Sequence, residues 1–453
     1  MSKKSCSSSA GRDSKSGDLK WWQLSLMGVG CTIGTGYFLG SSIGIKMTGP
    51  SIVISFILAA IGTYIVFNVL AQMTAEDPQK GSFCAYAKKA FGRWAGFSCG
   101  WNYWISNILV MGSQLTALSI LSRFWFHNVP LWVFAAGYAV LAIAVVLTGT
   151  KGFDKIEDIL AIVKVAAILM FIIIAAAAMA GWIDGEVKKP GLPDNSQVLF
   201  HDGFRGFWSS LIYAFYAFGG IEVIGLMAMQ LKKKEDGPKA GKAMMILLTG
   251  IYVLSMGLAV TMVFQHAFDD KESPFVTALS DYHLPFFPHV FNGAIIIAGF
   301  STMTASLFGV TNLLCTMSED GDAPGVFSKK VKKLKDLPLA SLGIGAAGLL
   351  ASIITALLLP GKIYEYITTA AGILLLYNWL FIIVSSLKVL KQKVWGKVFS
   401  MLGIVLLLAS ISGTMAEKTI RPGFYVSLLL AAIIGAAAVF MGKVWKKAEA
   451  KGD

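Results

Sequence analysis

Gly28-Val29-Gly30-Cys31-Thr32-Ile33-Gly34-Thr35-Gly36 runs through a long apolar stretch and continues as Tyr37-Phe38-Leu39-Gly40. Each glycine weakens a helix by about 1 kcal/mol relative to alanine and admits backbone conformations that other residues avoid. A break in a helix is expected here. Close packing is the competing reading, because Gly30 with Gly34 and Gly36 with Gly40 have the GxxxG spacing that lets two helices approach. A dinucleotide-binding turn is disfavoured, since the spacing does not fit GxGxxG and no strand precedes it. A second interruption, Tyr213-Ala214-Phe215-Tyr216-Ala217-Phe218-Gly219-Gly220-Ile221-Glu222, lies five apolar stretches later. Interrupted helices at corresponding positions in two halves are what inverted-repeat transporters use to build a site at the bilayer midplane. The pairing favours a binding site over packing alone.

The rest of the chain fits a membrane setting. Of 453 residues 55% are hydrophobic and only 14% charged, with 47 glycines and a mean hydropathy of +0.66. Soluble domains carry about a quarter of their residues as charges. Cytosolic enzymes, secreted disulfide scaffolds and disordered chains are excluded. Apolar runs of about twenty residues, each long enough to cross a core of about 30 Å, are read near 21–45, 50–73, 94–122, 130–149, 157–181 and 205–231. A second set falls near 241–264, 289–317, 338–359, 364–387, 397–415 and 423–442. The fold class is an all-α polytopic membrane protein with twelve transmembrane helices.

Basic residues set the expected orientation. Of the 39 lysines and arginines, 29 lie in the tails and loops on the side of the N-terminus, 9 lie on the opposite side, and Lys164 lies within a span. By the positive-inside rule both termini are cytoplasmic. This asymmetry accounts for the net charge of +13 without nucleic acid as a partner. Residues 1–20 lack the apolar core of a removable signal peptide. Cys6, Cys31, Cys84, Cys99 and Cys315 form no CxxC pair and read as small apolar fillers rather than a disulfide framework or zinc site.

The two breaks define candidate chemistry. Unwound backbone in hydrocarbon leaves donors and acceptors unpaired at several kcal/mol per group unless a cavity or ligand meets them. A zwitterion meets both kinds. A half-helix beginning near Gly36, with Gly34 and the Thr35 hydroxyl beside it, offers N–H and O–H donors and a positive dipole end to a carboxylate. Carbonyls before the break, around Thr32 and Ile33, and those near Phe218 and Gly219 can accept an ammonium group. Tyr216 and Phe218 flank the second break, where a ring can close over a substrate.

Lys164 lies roughly 12 Å into the fifth span. An ammonium there must snorkel to the headgroups, pair, or lose its proton, and the functional reading is a fixed or titrating cation against the first broken helix. Glu222 follows the second break with no cationic partner nearby in sequence. It is either a coupling carboxyl or a structural one bonded to freed backbone. Gln114 reads first as a helix-packing hydrogen bond and secondarily as a pocket residue. The five histidines fall in or near exterior loops without metal-ligand spacing, and no catalytic triad, HExxH or P-loop is visible. No enzyme activity, cofactor or metal is expected.

At these residues the sequence resembles the amino acid permeases of the amino acid, polyamine and organocation superfamily, closest to the bacterial proton-coupled branch. The likeness is carried by Gly34-Thr35-Gly36 with Phe38-Leu39-Gly40, Trp101-Asn102-Tyr103-Trp104, Ile162-Val163-Lys164-Val165 and Phe218-Gly219-Gly220-Ile221-Glu222. The eighth-span stretch from Ser301 through Thr311 to Ala323-Pro324 adds to it. The resemblance implies a five-plus-five inverted repeat, residues 21–181 and 205–387, followed by two helices in 397–442, with cytoplasmic tails 1–20 and 443–453. It implies that Gly34, Thr35 and Gly36 hold a substrate carboxylate, that carbonyls around Thr32, Tyr216 and Gly219 hold its amino group, and that Lys164 serves sodium-independent or proton-coupled transport. The chain departs from the pattern at Gln114 and Gln230, where many relatives carry glutamate.

The expected function is a plasma-membrane permease importing neutral L-amino acids by proton symport with alternating access. Its expected partners are the amino acid, the proton and the bilayer, and it acts as a monomer or weak homo-oligomer. A sodium-independent exchanger is the nearest rival. A non-transporting nutrient sensor, which would usually carry a long added cytoplasmic domain, stands further off.

Overall fold

A computed structural model describes residues 20–79, 81–185, 195–222, 231–268, 272–331, 337–358 and 363–449. Most of both tails, Gln230 and the last part of the expected sixth span therefore lie outside the described residues. The apolar runs fold as helices because a helix satisfies its backbone polar groups within one segment. In chain order these are α1 (Trp21–Thr32), α2 (Thr35–Phe38), α3 (Gly40–Thr48), α4 (Ile52–Glu76), α5 (Ser82–Phe91), α6 (Arg93–Ser122), α7 (Leu131–Leu147) and α8 (Thr150–Met179). There follow α9 (Ser196–Leu199), α10 (Gly203–Ala217), α11 (Gly237–Met262), α12 (Pro274–Ala278) and α13 (Phe287–Glu319). The chain ends with α14 (Leu339–Leu358), α15 (Ile363–Val389), α16 (Val394–Ala416) and α17 (Arg421–Glu449).

Among the described residues eight stretches are long and apolar enough to cross a membrane, and two shorter apolar helices, Leu131–Leu147 and Leu339–Ile354, accompany them. The longest, Thr35–Glu76, is not one rod. Gly49 has φ 71° and Pro50 opens a short 3-10 turn, so α3 and α4 are separate arms joined at an elbow.

α6 packs against α13 and α15, α4 against α11, α10 against α3 and α16, and α8 against α1, α11 and α13. Rings fill the centre: Tyr37 stacks on Tyr252 with centroids 3.9 Å apart, and Phe38, Phe56, Phe275 and Phe291 close around them. The outside is apolar as well. Ile162 and Ile173 on α8 are 71% and 67% exposed, and Val439 on α17 is 69% exposed. Apolar faces of this extent are stable against lipid, whereas in water they aggregate. One cysteine departs from the sequence reading: Cys84 and Cys99 carry free thiols, but Cys315 is disulfide-bonded.

Where α6 begins, a charged cluster joins three parts of the chain. Arg93 Nε donates to Asp322 Oδ1 at 2.9 Å and its Nη2 to the Asp320 carbonyl at 2.9 Å, while the guanidinium lies 4.6 Å from the centre of the Trp445 ring on α17. Burial pushes the Asp322 carboxyl up from its ordinary value, and the Arg93 guanidinium pulls it back. Arg93→Ala is expected to cost about 1–2 kcal/mol at neutral pH. Without the guanidinium the folded carboxyl rises further above its unfolded value, so stability falls as pH rises through the carboxyl range. The deficit therefore shrinks once Asp322 is protonated, which melting curves at neutral and acidic pH check.

Candidate functional site

Both glycine clusters interrupt a helix. α1 stops at Thr32, and the chain runs extended through Ile33 (φ −70°, ψ 113°) and Gly34 (φ −146°, ψ −170°) before Thr35 restarts it. Gly34 sits in a tight place: a Cβ there would be 3.0 Å from Thr302 Cγ2, which would have to give by a few tenths of an ångström. In the second cluster α10 stops at Ala217, Phe218, Gly219 and Gly220 form a turn, and helix resumes at Ile221 and Glu222. Gly220 has φ 105°, a conformation that side-chain-bearing residues rarely adopt.

A helix end leaves up to four backbone groups without intrahelical partners, and side chains meet several of them here. At the end of α1 the Gly30 carbonyl accepts from Lys164 Nζ at 3.1 Å. A cation on the last carbonyls also opposes the negative end of the helix dipole. Across the break, Thr35 donates both its N–H, at 3.3 Å, and its hydroxyl to Gln114 Oε1. The Thr35 carbonyl accepts from Tyr364 at 3.3 Å. At the second break, Tyr252 donates to the Ala217 carbonyl at 3.0 Å, and Gly219 N–H donates to Tyr216 O at 3.0 Å.

The two breaks face each other. The Tyr216 ring lies directly on Gly36, where a Cβ would stand 2.7 Å from two ring carbons, and its hydroxyl is 2.7 Å from Ser113 Oγ. Gly34, Thr35, Gly36, Gln114 and Tyr216 therefore share one neighbourhood. Thr32 and Ile33 are buried at its edge, with the Thr32 hydroxyl donating back to Gly28 O at 2.8 Å. Gln114 makes a hydrogen bond between helices, as its reading in the sequence has it, and takes both donors of Thr35 across the first break. Phe218 is fully buried and packed against Phe56 and Tyr252, which makes it part of the wall behind the second break. Gly219 lies against Leu375.

Lys164 is 0% exposed, so it does not snorkel. Its Nζ lies 3.5 Å from Glu157 Oε1, and the Ser301 hydroxyl donates to the same oxygen. Glu222 belongs to a separate group: its Oε2 accepts from Gly220 N–H and from Trp379 Nε1, each at 3.3 Å. The first of these bonds is to backbone freed at the second break. Sequence reasoning missed Glu157, Ser301, Ser113, Thr302, Tyr364 and Trp379. For Glu157 a signal existed, because residues seven apart on a helix share a face two turns on. The others arrive from distant helices and left no local signal.

Comparison with protein families matches residues 23–449 to the amino acid permease family. The chain is 52% identical over 432 residues to the uncharacterized transporter YcgH of Bacillus subtilis, covering 95% of this chain and 96% of that protein. It is 30% identical over 382 residues to the aromatic amino acid transport protein AroP of Corynebacterium glutamicum, covering 83% and 81%. Among solved structures, MhsT in complex with L-phenylalanine superposes with a TM-score of 0.61 over 90% of this chain and all of that one, at 15% identity. That likeness concerns the fold. With opposed helix breaks, lipid-facing apolar helices and a family match over nearly its whole length, the chain is a multi-pass membrane transporter, not an enzyme, and belongs to the amino acid permease family.

Proposed function

We propose that this permease imports neutral L-amino acids across the plasma membrane by proton symport, with both termini cytoplasmic. The observation that carries the reading is the pair of facing breaks with the Lys164 ammonium bonded to the carbonyl end of the first. Donors of Gly34, Thr35 and Gly36 meet the substrate carboxylate, and carbonyls around Thr32, Tyr216 and Gly219 meet its ammonium group. A cation already fixed at the end of α1 leaves no need for sodium there. The neutral side chain is supported by the uncharged neighbourhood of Gly34, Gly36, Gln114 and Tyr216, and by the relative named for aromatic amino acid transport.

The same reading takes the chain as twelve spans in a five-plus-five inverted repeat, 21–181 and 205–387, with two further helices. The elbow at Gly49 supports the count by dividing one long stretch into two arms, the first of which joins α1 as the broken first span, and α7, α10 and α14 supply the shorter crossings. One proton moving with a zwitterion carries one net charge, worth about 2.3 kcal/mol per 100 mV, or about fifty-fold accumulation.

An uptake screen of all twenty amino acids in proteoliposomes, with and without an inward proton gradient, tests the reading. Accumulation of one or a few neutral amino acids only with the gradient is expected. Counterflow without any pH dependence would instead establish an exchanger. The site makes a second prediction. Gln114→Ala leaves the buried Thr35 donors without their acceptor, at about 1–3 kcal/mol, and a bound carboxylate replaces it. The variant should melt lower than wild type without substrate and gain more on substrate addition, as thermal unfolding in detergent will measure.

A further inference from the structure

Lys164 and Glu157 differ in access. Side chains on a helix lean toward its start, so the ammonium of Lys164 reaches back along α8 to Glu157, with Nζ 3.5 Å from Oε1. The lysine side chain is 0% exposed and the glutamate side chain 16% exposed. Ser301 on α13 donates to the same Oε1, which fixes the carboxylate between two helices. The result is a two-member path from an enclosed charge to a more accessible one at the first turns of α8.

We propose that Glu157 is the positioning and relay carboxylate through which the Lys164 proton leaves for the cytoplasm. The inference rests on the symport reading above, with the first turn of α8 on the cytoplasmic side. In the step, one N–H bond of the Lys164 ammonium breaks and an O–H bond forms on Glu157, so an ion pair becomes a neutral amine and a carboxylic acid. Glu157 then gives that proton to cytoplasmic water and is again a carboxylate. In a low-dielectric setting the neutral pair is accessible because two buried charges disappear together. The bond to the Gly30 carbonyl loses its charge assistance in the same step, which loosens the hold on the end of α1.

Charged and titratable groups flank Glu157 in the sequence and lie on several of the helices packed against α8. On α8 its sequence neighbours are Lys151, Asp154, Lys155 and Asp158, with Lys164 as its bonded partner. α1 carries no charged residue and presents the Gly30 carbonyl. α13 presents Ser301, its own titratable residues His289 and Glu319 lying near its two ends. α11 brings Lys239, which lies over the Trp21 ring, and Lys242, and α7 brings Tyr138, bonded to Ser122.

The test reconstitutes wild type, Glu157→Gln and Glu157→Asp in proteoliposomes. It measures gradient-driven accumulation while internal pH is varied, and counterflow with the gradient collapsed. Wild-type accumulation should fall as internal pH is lowered, since proton release is opposed. Glu157→Gln should lose at least about tenfold of gradient-driven accumulation and its internal-pH dependence, while counterflow stays within about twofold. Glu157→Asp, which keeps a titratable carboxyl, should retain accumulation at a reduced rate and remain sensitive to internal pH. Wild-type accumulation and pH dependence in Glu157→Gln would overturn the relay, as would a counterflow loss equal to the accumulation loss. If the Gln variant does not fold, an Asp variant indistinguishable from wild type in rate and pH profile overturns it. Gradient-insensitive uptake by wild type itself would mark failure of the symport reading and remove the relay with it.

Discussion

Lys164→Ala is expected to abolish gradient-driven accumulation, bringing the inside-to-outside ratio of substrate from about fifty to one, while counterflow persists. The ammonium bonds the Gly30 carbonyl at 3.1 Å and lies 3.5 Å from Glu157, with no exposure of its own. Alanine removes both contacts. The end of α1 loses its cation, and Glu157 loses its charge partner while keeping the Ser301 hydroxyl. A transporter whose cation site no longer changes state binds and exchanges but has no link to the proton gradient. Lys164→Met, which keeps most of the stem volume, separates this loss from a packing defect and should behave as the alanine variant does. Concentrative uptake at the wild-type level in both would remove Lys164 from the coupling.

Gly36→Val is expected to eliminate substrate binding, with Kd rising at least about a hundredfold, or about 2.7 kcal/mol. A Cβ at this position meets two carbons of the Tyr216 ring at 2.7 Å, and the ring cannot simply swing aside while its hydroxyl is tied to Ser113. Two further methyl groups on valine must displace the ring or the half-helix, and both belong to the site. Gly36→Ala meets the ring with its one methyl and should lose less affinity. Equilibrium binding of labelled substrate to detergent-purified variants measures the series. Wild-type affinity in the valine variant would mean that Gly36 and Tyr216 do not bound the substrate.

Both breaks were legible in the sequence because glycine density is a local property, and local backbone cost falls on the residues that carry it. Lys164 was legible for a similar reason: a cation within an apolar run needs an explanation wherever its partner lies. What the sequence could not supply was the partner from another helix. Ser301 and Trp379 are ordinary residues of their own helices, and only the packing of α13 against α8 and of α15 near the second break brings them to Glu157 and Glu222. Gln114 was read as a hydrogen bond between helices and makes one, but that Thr35 would be its partner was not legible, since the group opposite an amide in a span is set by helix rotation. Phe218 was expected as a gate from its place beside the break. The rings of Phe56 and Tyr252 that enclose it come from other helices and were not legible beside it.

Tyr252 touches both interruptions at once, stacked on Tyr37 just past the first and donating to Ala217 at the start of the second. The two interruptions thereby share a single aromatic linchpin. Under the symport cycle proposed above, the paired arms would swing as one lever.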